Sequence, residues 1–381
     1  MGNELSWLKG LYTQNESDDD DDDDESKFLI DETELYYGVQ ISQGVSTTVY
    51  FGTYMDKSVA IKVIETEKGT DESPQKERFL REVKLLAAAK HDNILKFIAY
   101  SVEPAMRLVT EMMTGGSLQR HLWHIKPATM DRKDALVMAL EISRAMAYLH
   151  ENGIIHRNLN PNNIFLSESK KSVKVGDFGL CREGLEGDFS TDVGSYRWMA
   201  PEVYSRELHG ITSLTTRYNH KVDVYSFAFV VWEMFTNKTP FEDMDNKMIE
   251  TAVMNNERPI LEQEVIPLGI QTLLESCWSN DPQQRPEFSK ISKLLEELLN
   301  QIEPGWDSIP ASQPENLWGK ISKRVCSCCH WIRIRLCCCC PSFHWIRTRL
   351  CCCCPSFRSI PKFLSSCCPS FRSIRNFLRK N

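Results

Sequence analysis

The first part of the chain alternates apolar and polar residues with the two-residue period of a β-strand. This pattern predicts five strands, over residues 37–42, 48–54, 58–64, 95–100 and 107–110. Between the third and fourth strands, residues 75–89 place Phe79, Val83 and Leu86 at helical spacing. The pattern therefore predicts a small sheet that carries one helix.

The periodicity becomes helical after the glycine pair at residues 115–116. It predicts four helices, over residues 134–150, 222–235, 271–276 and 288–302. The second of these is almost wholly apolar, so we expect it to be buried on all sides. A small sheet lobe followed by a larger helical lobe places residues 34–300 in the α+β class.

The segments outside this domain have unusual compositions. Residues 1–33 form an acidic leader in which residues 18–25 are eight consecutive acids. Such a run repels itself, so we expect a disordered spacer or a docking segment for a basic partner. Residues 301–319 are a linker. Residues 320–381 are a basic, Cys-rich tail in which HWIRIRLCCCCPSF is followed at once by HWIRTRLCCCCPSF; this unit is too short for a solenoid repeat, and we expect disorder.

Charge and cysteine divide the chain at the same place. The tail has 13 of the 45 Lys and Arg and none of the 52 Asp and Glu, so residues 1–319 contain 32 basic and 52 acidic residues. Of the 15 cysteines, only Cys181 and Cys277 precede residue 326, which argues against a disulfide scaffold and for a reducing, cytoplasmic compartment. We expect no secretory signal, no transmembrane helix and no nucleic-acid partner.

One segment of the helical half carries a catalytic signature with a single change. Residues 156–163, HRNLNPNN, match H-R-D-x-x-x-x-N except that Asn158 replaces the Asp. In that signature the Asp takes the proton of a substrate hydroxyl group, and the final Asn, here Asn163, binds Mg²⁺. A carboxamide can orient a hydroxyl group, but it cannot take up a proton near neutral pH.

Further motifs occur in register with this one. They are the segment VAIK ending at Lys62, the helix-borne Glu82, the segment DFG beginning at Asp177, and GSYRWMAPE over residues 194–202. With them the chain resembles the protein kinase family over about 265 residues, and GSYRWMAPE resembles the tyrosine-kinase-like branch, especially plant Raf-like serine/threonine protein kinases. The resemblance implies a two-lobed kinase fold, with a small antiparallel β lobe plus one helix and a larger helical lobe, and a signalling role.

The resemblance also implies which residues would bind ATP and Mg²⁺. Lys62, aimed by Glu82, would hold the α- and β-phosphates, and Asn163 and Asp177 would ligate Mg²⁺. The residues implied at the nucleotide are Ser42, Gly44, Val49, Ala60, Lys62, Glu82, Thr110, Glu111, Met113 and Phe165. The Met and Phe side chains among them are equally compatible with ordinary core positions. Outside this set, the resemblance implies that Asp223 anchors the catalytic loop and that Glu202 pairs with Arg285.

Three departures from the family pattern concern phosphoryl transfer. Asn158 replaces the catalytic Asp, and Asn160 replaces a Lys expected near the transferring phosphate. The segment SQGVSTTV aligns with the phosphate-covering G-x-G-x-x-G-x-V but keeps only Gly44, with Ser42 and Thr47 at the other glycine positions. Three functions stay open: an ATP-binding pseudokinase or very weak kinase that acts as a switch or scaffold, an active Ser/Thr kinase, and a kinase fold without nucleotide.

Two regulatory features are predicted. Arg157 is retained, and in related kinases this Arg pairs with a phosphate on the activation segment, here at Ser190, Thr191 or Ser195. The chain also begins MGNELS, which fits N-myristoylation of Gly2.

The tail suggests a second membrane signal, which one myristoyl chain needs for stable anchoring. Its clustered cysteines lie among Arg and Trp residues and are candidates for palmitoylation, with Cys337, Cys338, Cys351 and Cys352 as the sites. The alternatives are metal binding and a structureless repeat expansion. Lipidation would bring the protein from the cytoplasm to the plasma membrane.

Overall fold

The structure is a computed structural model of the whole chain. It describes residues 28–44, 46–65, 73–184, 186–190, 196–204 and 215–301. Gly2, the acidic run, the linker from residue 302 onward and all tail cysteines lie outside these ranges, so the predictions for them stay predictions.

The five predicted strands are present and form one antiparallel sheet in the order β1-β2-β3-β5-β4. Their bounds are β1 Leu35–Gln43, β2 Thr47–Tyr54, β3 Lys57–Ile64, β4 Phe97–Ser101 and β5 Met106–Glu111. The turn between β2 and β3 is Met55-Asp56, and both residues have positive φ, 49° and 59°. Two such residues match the right-handed twist of the strands they join, which explains the tight hairpin.

The predicted helix on the sheet is α1, Ser73–Ala88. Its apolar positions Phe79, Val83 and Leu86 are all buried, as their spacing predicts. The Phe79 ring packs against Tyr100 of β4, with ring centroids 6.5 Å apart. This contact fixes the helix, and therefore Glu82 on it, against the sheet.

Six helices make up the second lobe among the described residues. They are α2 Leu118–Ile125, α3 Arg132–Glu151, α4 Lys221–Thr236, α5 Asn246–Met254, α6 Leu268–Cys277 and α7 Phe288–Asn300. Every residue of α4 is buried, which confirms the expectation from its apolar sequence. The α+β class and the two-lobed arrangement are confirmed. In the described ranges, no helix combines the length and the apolar character that a membrane crossing requires.

The sequence pattern missed α2, α5 and the short strands beside the catalytic loop. Both helices begin at side-chain caps: Ser117 accepts a hydrogen bond from the Arg120 N–H, and Asp245 accepts one from Met248 N–H. The short strands form three antiparallel pairs, β6 Ile154–Ile155 with β9 Arg182–Glu183, β7 Ile164–Leu166 with β8 Val173–Val175, and β10 Glu186–Ser190 with β11 Thr215–Asn219. The first two pairs frame residues 156–163 and thereby set the position of the catalytic loop.

Candidate active site

The catalytic loop is anchored by one fully buried carboxylate, Asp223 of α4. Its Oδ2 accepts from the backbone N–H of His156, and its Oδ1 accepts from that of Arg157, both at 2.8 Å. The Nε2 of His150, at the end of α3, donates to the same Oδ2 at 2.9 Å. Burial opposes ionisation, but the hydrogen bond and charge of His150 outweigh it and lower the pKa of Asp223. The expected anchor is present, and it holds Arg157 at a positive φ of 67°.

His156 connects this loop to the DFG segment. Its Nδ1 accepts from the backbone N–H of Asn158 at 3.3 Å, so Nε2 carries the proton and donates to the carbonyl oxygen of Gly176 at 3.1 Å. The imidazole also lies edge-on against Phe178, with ring centroids 5.7 Å apart. The two segments are thus held together by one buried side chain.

Lys62 of β3 lies between two carboxylates. Its Nζ is 2.7 Å from Glu82 Oε1 and 3.1 Å from Asp177 Oδ1. Burial disfavours the ammonium form, but the charges of Glu82 and then Asp177 raise the pKa of Lys62 above its ordinary value. For Asp177, burial is likewise outweighed by the charge of Lys62, which lowers the pKa of this carboxyl group. The pairing of Lys62 with Glu82 that the motifs implied is therefore formed, and both Lys62 and Asp177 are charged.

Asn158 forms a hydrogen bond with the second carboxylate oxygen of Asp177. Its Nδ2 donates to Asp177 Oδ2 at 3.2 Å. On the other side, Asn160 Nδ2 donates to Asn158 Oδ1 at 3.0 Å and to its carbonyl oxygen at 2.9 Å. An aspartate at position 158 could not donate to Asp177, and the two carboxylates would repel each other. The hydrogen bond from Asn158 to Asp177 is therefore one that the usual catalytic Asp could not form, and Asn160 extends it into a local network.

Asn163 and Asp177 are the residues that could hold a cation. Asn163 Nδ2 donates to the Asn158 carbonyl oxygen at 2.8 Å, and its own backbone carbonyl accepts from the Gly176 N–H at 2.9 Å. The carboxamide oxygen of Asn163 and the carboxylate of Asp177, which accepts from Lys62 and Asn158, are thus potential metal ligands on adjacent segments. Oxygen donors of this kind suit Mg²⁺, so the residues present fit the ion that kinases use.

The residues implied at the adenine lie on neighbouring strands. Val49 of β2 pairs with Lys62 of β3, and Ala60 of β3 pairs with the buried Thr110 of β5. Phe165 of β7 lies so close to Gly176 that a Cβ there would be 2.9 Å from its ring, which explains the glycine.

Two residues implied beside the adenine also have structural contacts. Glu111 Oε1 accepts from the backbone N–H of Lys96 and from Lys174 Nζ, each at 2.7 Å, and the Met113 carbonyl closes a turn with Gly116. Whether these positions contact a nucleotide stays a prediction.

The phosphate-covering segment is a tight hairpin. Ser42 pairs with Val49, and the Gly44 N–H donates to the Thr47 carbonyl at 2.7 Å. A Cβ at Gly44 would be 2.8 Å from Thr47 Oγ1, so a larger residue here would displace the Thr47 hydroxyl group. The pairs Ser42–Val49 and Gln43–Thr48 next to the turn, together with fewer glycines, make the segment stiffer than a glycine-rich loop.

The predicted regulatory residues are only partly described. The Arg157 guanidinium donates from Nε to the Tyr218 hydroxyl at 2.7 Å and from NH1 to the Leu180 carbonyl at 3.1 Å. The backbone of Ser190 lies in β10, whereas Thr191 and Ser195 lie outside the described residues. Tyr218 was not foreseen, because nothing in its local sequence connects it to Arg157, 61 residues away.

Two acids, the partly exposed Glu202 and the buried Glu233, secure the segment that follows. Arg285 NH1 and NH2 donate to the two carboxylate oxygens of Glu202 at 2.6 and 2.9 Å, so the expected ion pair is present. Glu233 of α4, which the sequence did not single out, accepts from Trp198 Nε1 at 2.5 Å. Complete burial raises the pKa of Glu233 to about 8.

This two-lobed fold, with its Lys–Glu–Asp cluster beside an anchored H-R-N loop, defines a protein kinase domain. The sequence profile of the family described as protein tyrosine and serine/threonine kinase matches residues 35–295, and the chain belongs to this family.

The chain is similar to curated protein kinases of a plant and of an amoeba. It is 35% identical over 306 residues to the serine/threonine/tyrosine-protein kinase HT1 of Arabidopsis thaliana, which covers 79% of this chain and 76% of HT1. It is 36% identical over 276 residues to the Arabidopsis serine/threonine-protein kinase STY46, covering 72% of this chain and 46% of STY46.

A third relative is the RGS domain-containing serine/threonine-protein kinase A of Dictyostelium discoideum, 36% identical over 260 residues, or 68% of this chain and 22% of that protein. The chain thus spans less than half of the second and third relatives. The similarity supports the serine/threonine kinase class.

Proposed function

We propose that this protein binds Mg²⁺-ATP and acts mainly as a switch or scaffold in signalling, with phosphotransfer weak or lost. The observation that carries the proposal is the Asn158 carboxamide, which donates to Asp177 and is itself held by Asn160. This network preserves the position of the metal-binding aspartate without supplying a proton acceptor. The domain is therefore built to retain nucleotide rather than to turn it over.

Nucleotide binding rests on the charged cluster. Lys62 would bind the α- and β-phosphates, because Glu82 keeps it charged and aimed. Asn163 and Asp177 would hold Mg²⁺, which neutralises phosphate charge when it is bound. Val49, Ala60 and Phe165 would enclose the adenine, with Thr110, Glu111 and Met113 at its edge and Ser42 and Gly44 over the phosphates.

Weak transfer follows from three local changes. General-base assistance is worth about 10²–10⁴-fold in rate, and the Asn158 carboxamide cannot provide it. Asn160 brings no positive charge to the transferring phosphate, and its amide hydrogens are directed at Asn158. The paired hairpin around Gly44 limits how closely backbone N–H groups approach the phosphates.

The second candidate function is an active kinase that phosphorylates serine and threonine residues of signalling proteins. The intact Lys62–Glu82 and Arg285–Glu202 pairs favour it, since phosphoryl transfer depends mainly on positioning and electrostatics. Phosphotransfer by the unmodified chain that Lys62→Met abolishes would establish this function.

Thermal unfolding of the purified full chain tests nucleotide binding. Mg²⁺-ATP binds only the native state, so it should raise the unfolding temperature. Lys62→Met should remove most of this increase, whereas Lys57→Met, at the solvent-exposed start of the same strand, should not. An equal response of all three proteins, or none in the wild type, would refute an ATP site at Lys62.

We propose that membrane association and phosphorylation regulate the domain. Myristoylated Gly2 and palmitoylated tail cysteines would hold the protein at the plasma membrane, as their sequence context supports. A phosphate at Ser190, Thr191 or Ser195 would compete with Tyr218 for Arg157. Wild-type conformation and partner binding in a Ser190→Ala, Thr191→Ala double variant would argue against the regulation by these two residues.

A further inference from the structure

The segment that precedes β1 is bound to one edge of the main sheet. Residues 28–32, here called the strap, run beside β4, which is the last strand in the sheet order. Leu29 forms a parallel bridge with Tyr100 of β4, and the Ile30 N–H donates to the Tyr100 carbonyl oxygen at 2.9 Å. The strap therefore covers backbone groups that an edge strand would otherwise expose.

A row of aromatic rings connects the strap to α1. The Phe28 ring packs against Phe97 of β4, with ring centroids 5.6 Å apart. The Phe97 ring lies 6.4 Å from that of Tyr100, and the Tyr100 ring lies 6.5 Å from that of Phe79 on α1. All three separations are within the range of favourable aromatic pairs. A displacement of Phe28 would thus reach α1 through two rings of β4.

Two further contacts hold the strap in place. Ile30 packs on a buried apolar cluster of the main sheet. Arg107 of β5 donates from NH1 to Glu32 Oε2 at 2.8 Å, and from NH2 to Glu32 Oε1. A bidentate pair of this kind fixes geometry as well as charge. Because Arg107 is buried, detaching the strap would take this carboxylate away from a buried cation, which is unfavourable.

The row of rings ends one helical turn from the carboxylate that aims Lys62. Glu82 lies three residues after Phe79, and positions at this spacing share one face of a helix. Glu82 Oε1 is 2.7 Å from Lys62 Nζ, and Asp177 Oδ1 is 3.1 Å from the same nitrogen. If α1 moved away from the sheet, Lys62 would keep only Asp177 of these two partners. Asp177 is the carboxylate that would ligate Mg²⁺, so such a movement would weaken both parts of the nucleotide site.

We propose that the strap positions α1, through Phe28 and the row of rings, so that Glu82 stays at Lys62 and the domain binds Mg²⁺-ATP. Phe28 is a positioning residue, since it acts on the site through the helix. The strap lies before residues 35–295, which match the family profile, so it is an addition to the shared domain. The effect on ATP rests on the proposed function, whereas the effect on α1 does not.

Hydrogen–deuterium exchange of the purified full chain, measured without nucleotide, tests the position of α1. Phe28→Ala should make the amides of α1 exchange about tenfold faster and leave those of α4 unchanged, because the lost packing eases local opening. The matched control is Leu29→Ala, which truncates a side chain that is 43% exposed and keeps the backbone bridge. Unchanged exchange of α1 in Phe28→Ala, an equal increase in α4, or the same increase in Leu29→Ala would overturn the proposal.

Calorimetric titration with Mg²⁺-ATP, at a temperature where every variant is folded, tests the consequence for the nucleotide. Phe28→Ala should bind at least about fivefold more weakly than the wild type and Leu29→Ala, the lower end of typical couplings between separate sites. Equal affinity of all three proteins would reject the connection to the nucleotide site. If the wild type itself does not bind, the proposed function fails, and hydrogen exchange alone decides whether the strap positions α1. If Phe28→Ala does not fold, Phe28→Leu replaces it in both experiments under the same criteria.

Discussion

Asn158 changes the chemistry of its neighbour Asp177 as well as its own. With a carboxamide at position 158, both oxygens of Asp177 have donors, Lys62 on one side and Asn158 on the other. With a carboxylate at position 158, the second oxygen of Asp177 would face a like charge. Such a repulsion between two carboxylates favours the binding of a cation in kinases that have the usual Asp. With Asn158, the chain therefore lacks a proton acceptor and a negative charge at this position. In return, both oxygens of Asp177 have hydrogen-bond donors when no metal is bound.

This exchange predicts the stability of Asn158→Asp. Without Mg²⁺, the variant loses a hydrogen bond to a charged group and gains a repulsion, so its free energy of unfolding should fall by about 1.5–3 kcal/mol. Millimolar Mg²⁺-ATP should restore part of that loss. The measurement is urea unfolding of the full chain. The control is Asn162→Asp, which adds the same charge at an exposed position of the same loop and should change little; equal effects of the two substitutions would contradict the account.

Glu233 predicts a pH dependence of stability. Its pKa is about 8 in the folded protein against an ordinary 4.5, so the folded state binds one more proton between these values. The stabilisation is complete below pH 4.5 and is lost as the pH rises to 8, with a slope of at most about 1.4 kcal/mol per pH unit.

The test compares the free energy of unfolding of wild type, Glu233→Gln and the exposed-site control Glu275→Gln from pH 5 to pH 8. Glu233→Gln should show a smaller decrease with pH than the other two proteins. Parallel curves for all three would show that Glu233 ionises normally in the folded state.

Among the structural elements, the ion pair between Arg285 and Glu202 connects the short segment after the GSYRW motif to the helical lobe. Arg285 is fully buried and also donates to the carbonyl oxygens of Ser279 and Lys221. Its guanidinium therefore joins the ends of α4 and α6 to residues 196–204. A surface pair of the same type, Arg144 with Glu296, joins α3 to α7 with both side chains nearly half exposed.

The contrast between these pairs predicts two different costs. Arg285→Met leaves Glu202 without its cation and should reduce the free energy of unfolding by about 3–5 kcal/mol. Arg144→Met should cost less than about 1 kcal/mol, because water screens an exposed pair. Chemical denaturation of both variants measures the difference. A small effect of Arg285→Met would mean that the helical lobe does not depend on this connection.

The elements that the sequence predicted are long enough to show several repeats of the helical or alternating spacing of apolar residues. Phe79, Val83 and Leu86 mark the buried face of α1 correctly, and the strands of the main sheet lie where alternation placed them. Strands β6 to β9 have two or three residues, too few to show any period. In α2 the buried apolar face is only Leu118 and Leu122, one helical repeat.

The site was predictable where motifs carry it and unpredictable where distant residues meet. The positions of Lys62, Glu82 and Asp177 followed from their motifs. The contact of Asn158 with Asp177, 19 residues apart, and that of Trp198 with Glu233, 35 residues apart, depend on tertiary structure. No local pattern contains such contacts.

At the scale of the whole molecule, a kinase domain is joined to a tail of opposite charge. The tail has 13 basic and no acidic residues, and the rest of the chain has 32 basic and 52 acidic residues. Clustered Cys, Arg and Trp in the tail suit an anionic lipid surface, and the Gly2 motif suits a myristoyl chain. The proposed membrane association is therefore a property of the two ends acting together.

Fractionation of cells that express the full chain tests this property. The wild type should sediment with membranes, and Gly2→Ala should lower the sedimented share, because it removes the myristoyl chain from the set of proposed anchors. Gly10→Ala is the matched control. Hydroxylamine, which cleaves palmitoyl thioesters, should release the wild type as well. Wild-type protein in the soluble fraction, unaffected by Gly2→Ala, would reject the membrane proposal.

The central claim is that the domain holds Mg²⁺-ATP but transfers its phosphate poorly. The most direct measurement is γ-phosphate transfer by the purified full chain to itself and to a Ser/Thr-containing protein. The single variant Lys62→Met is the blank for the wild type, and the double variant with both Asn158→Asp and Lys62→Met is the blank for Asn158→Asp. We predict wild-type transfer close to the blanks and an increase of about 10²-fold or more in Asn158→Asp, from the restored general base. Wild-type turnover of about 1 s⁻¹ or faster, within the range of active kinases and not increased by Asn158→Asp, would contradict the claim.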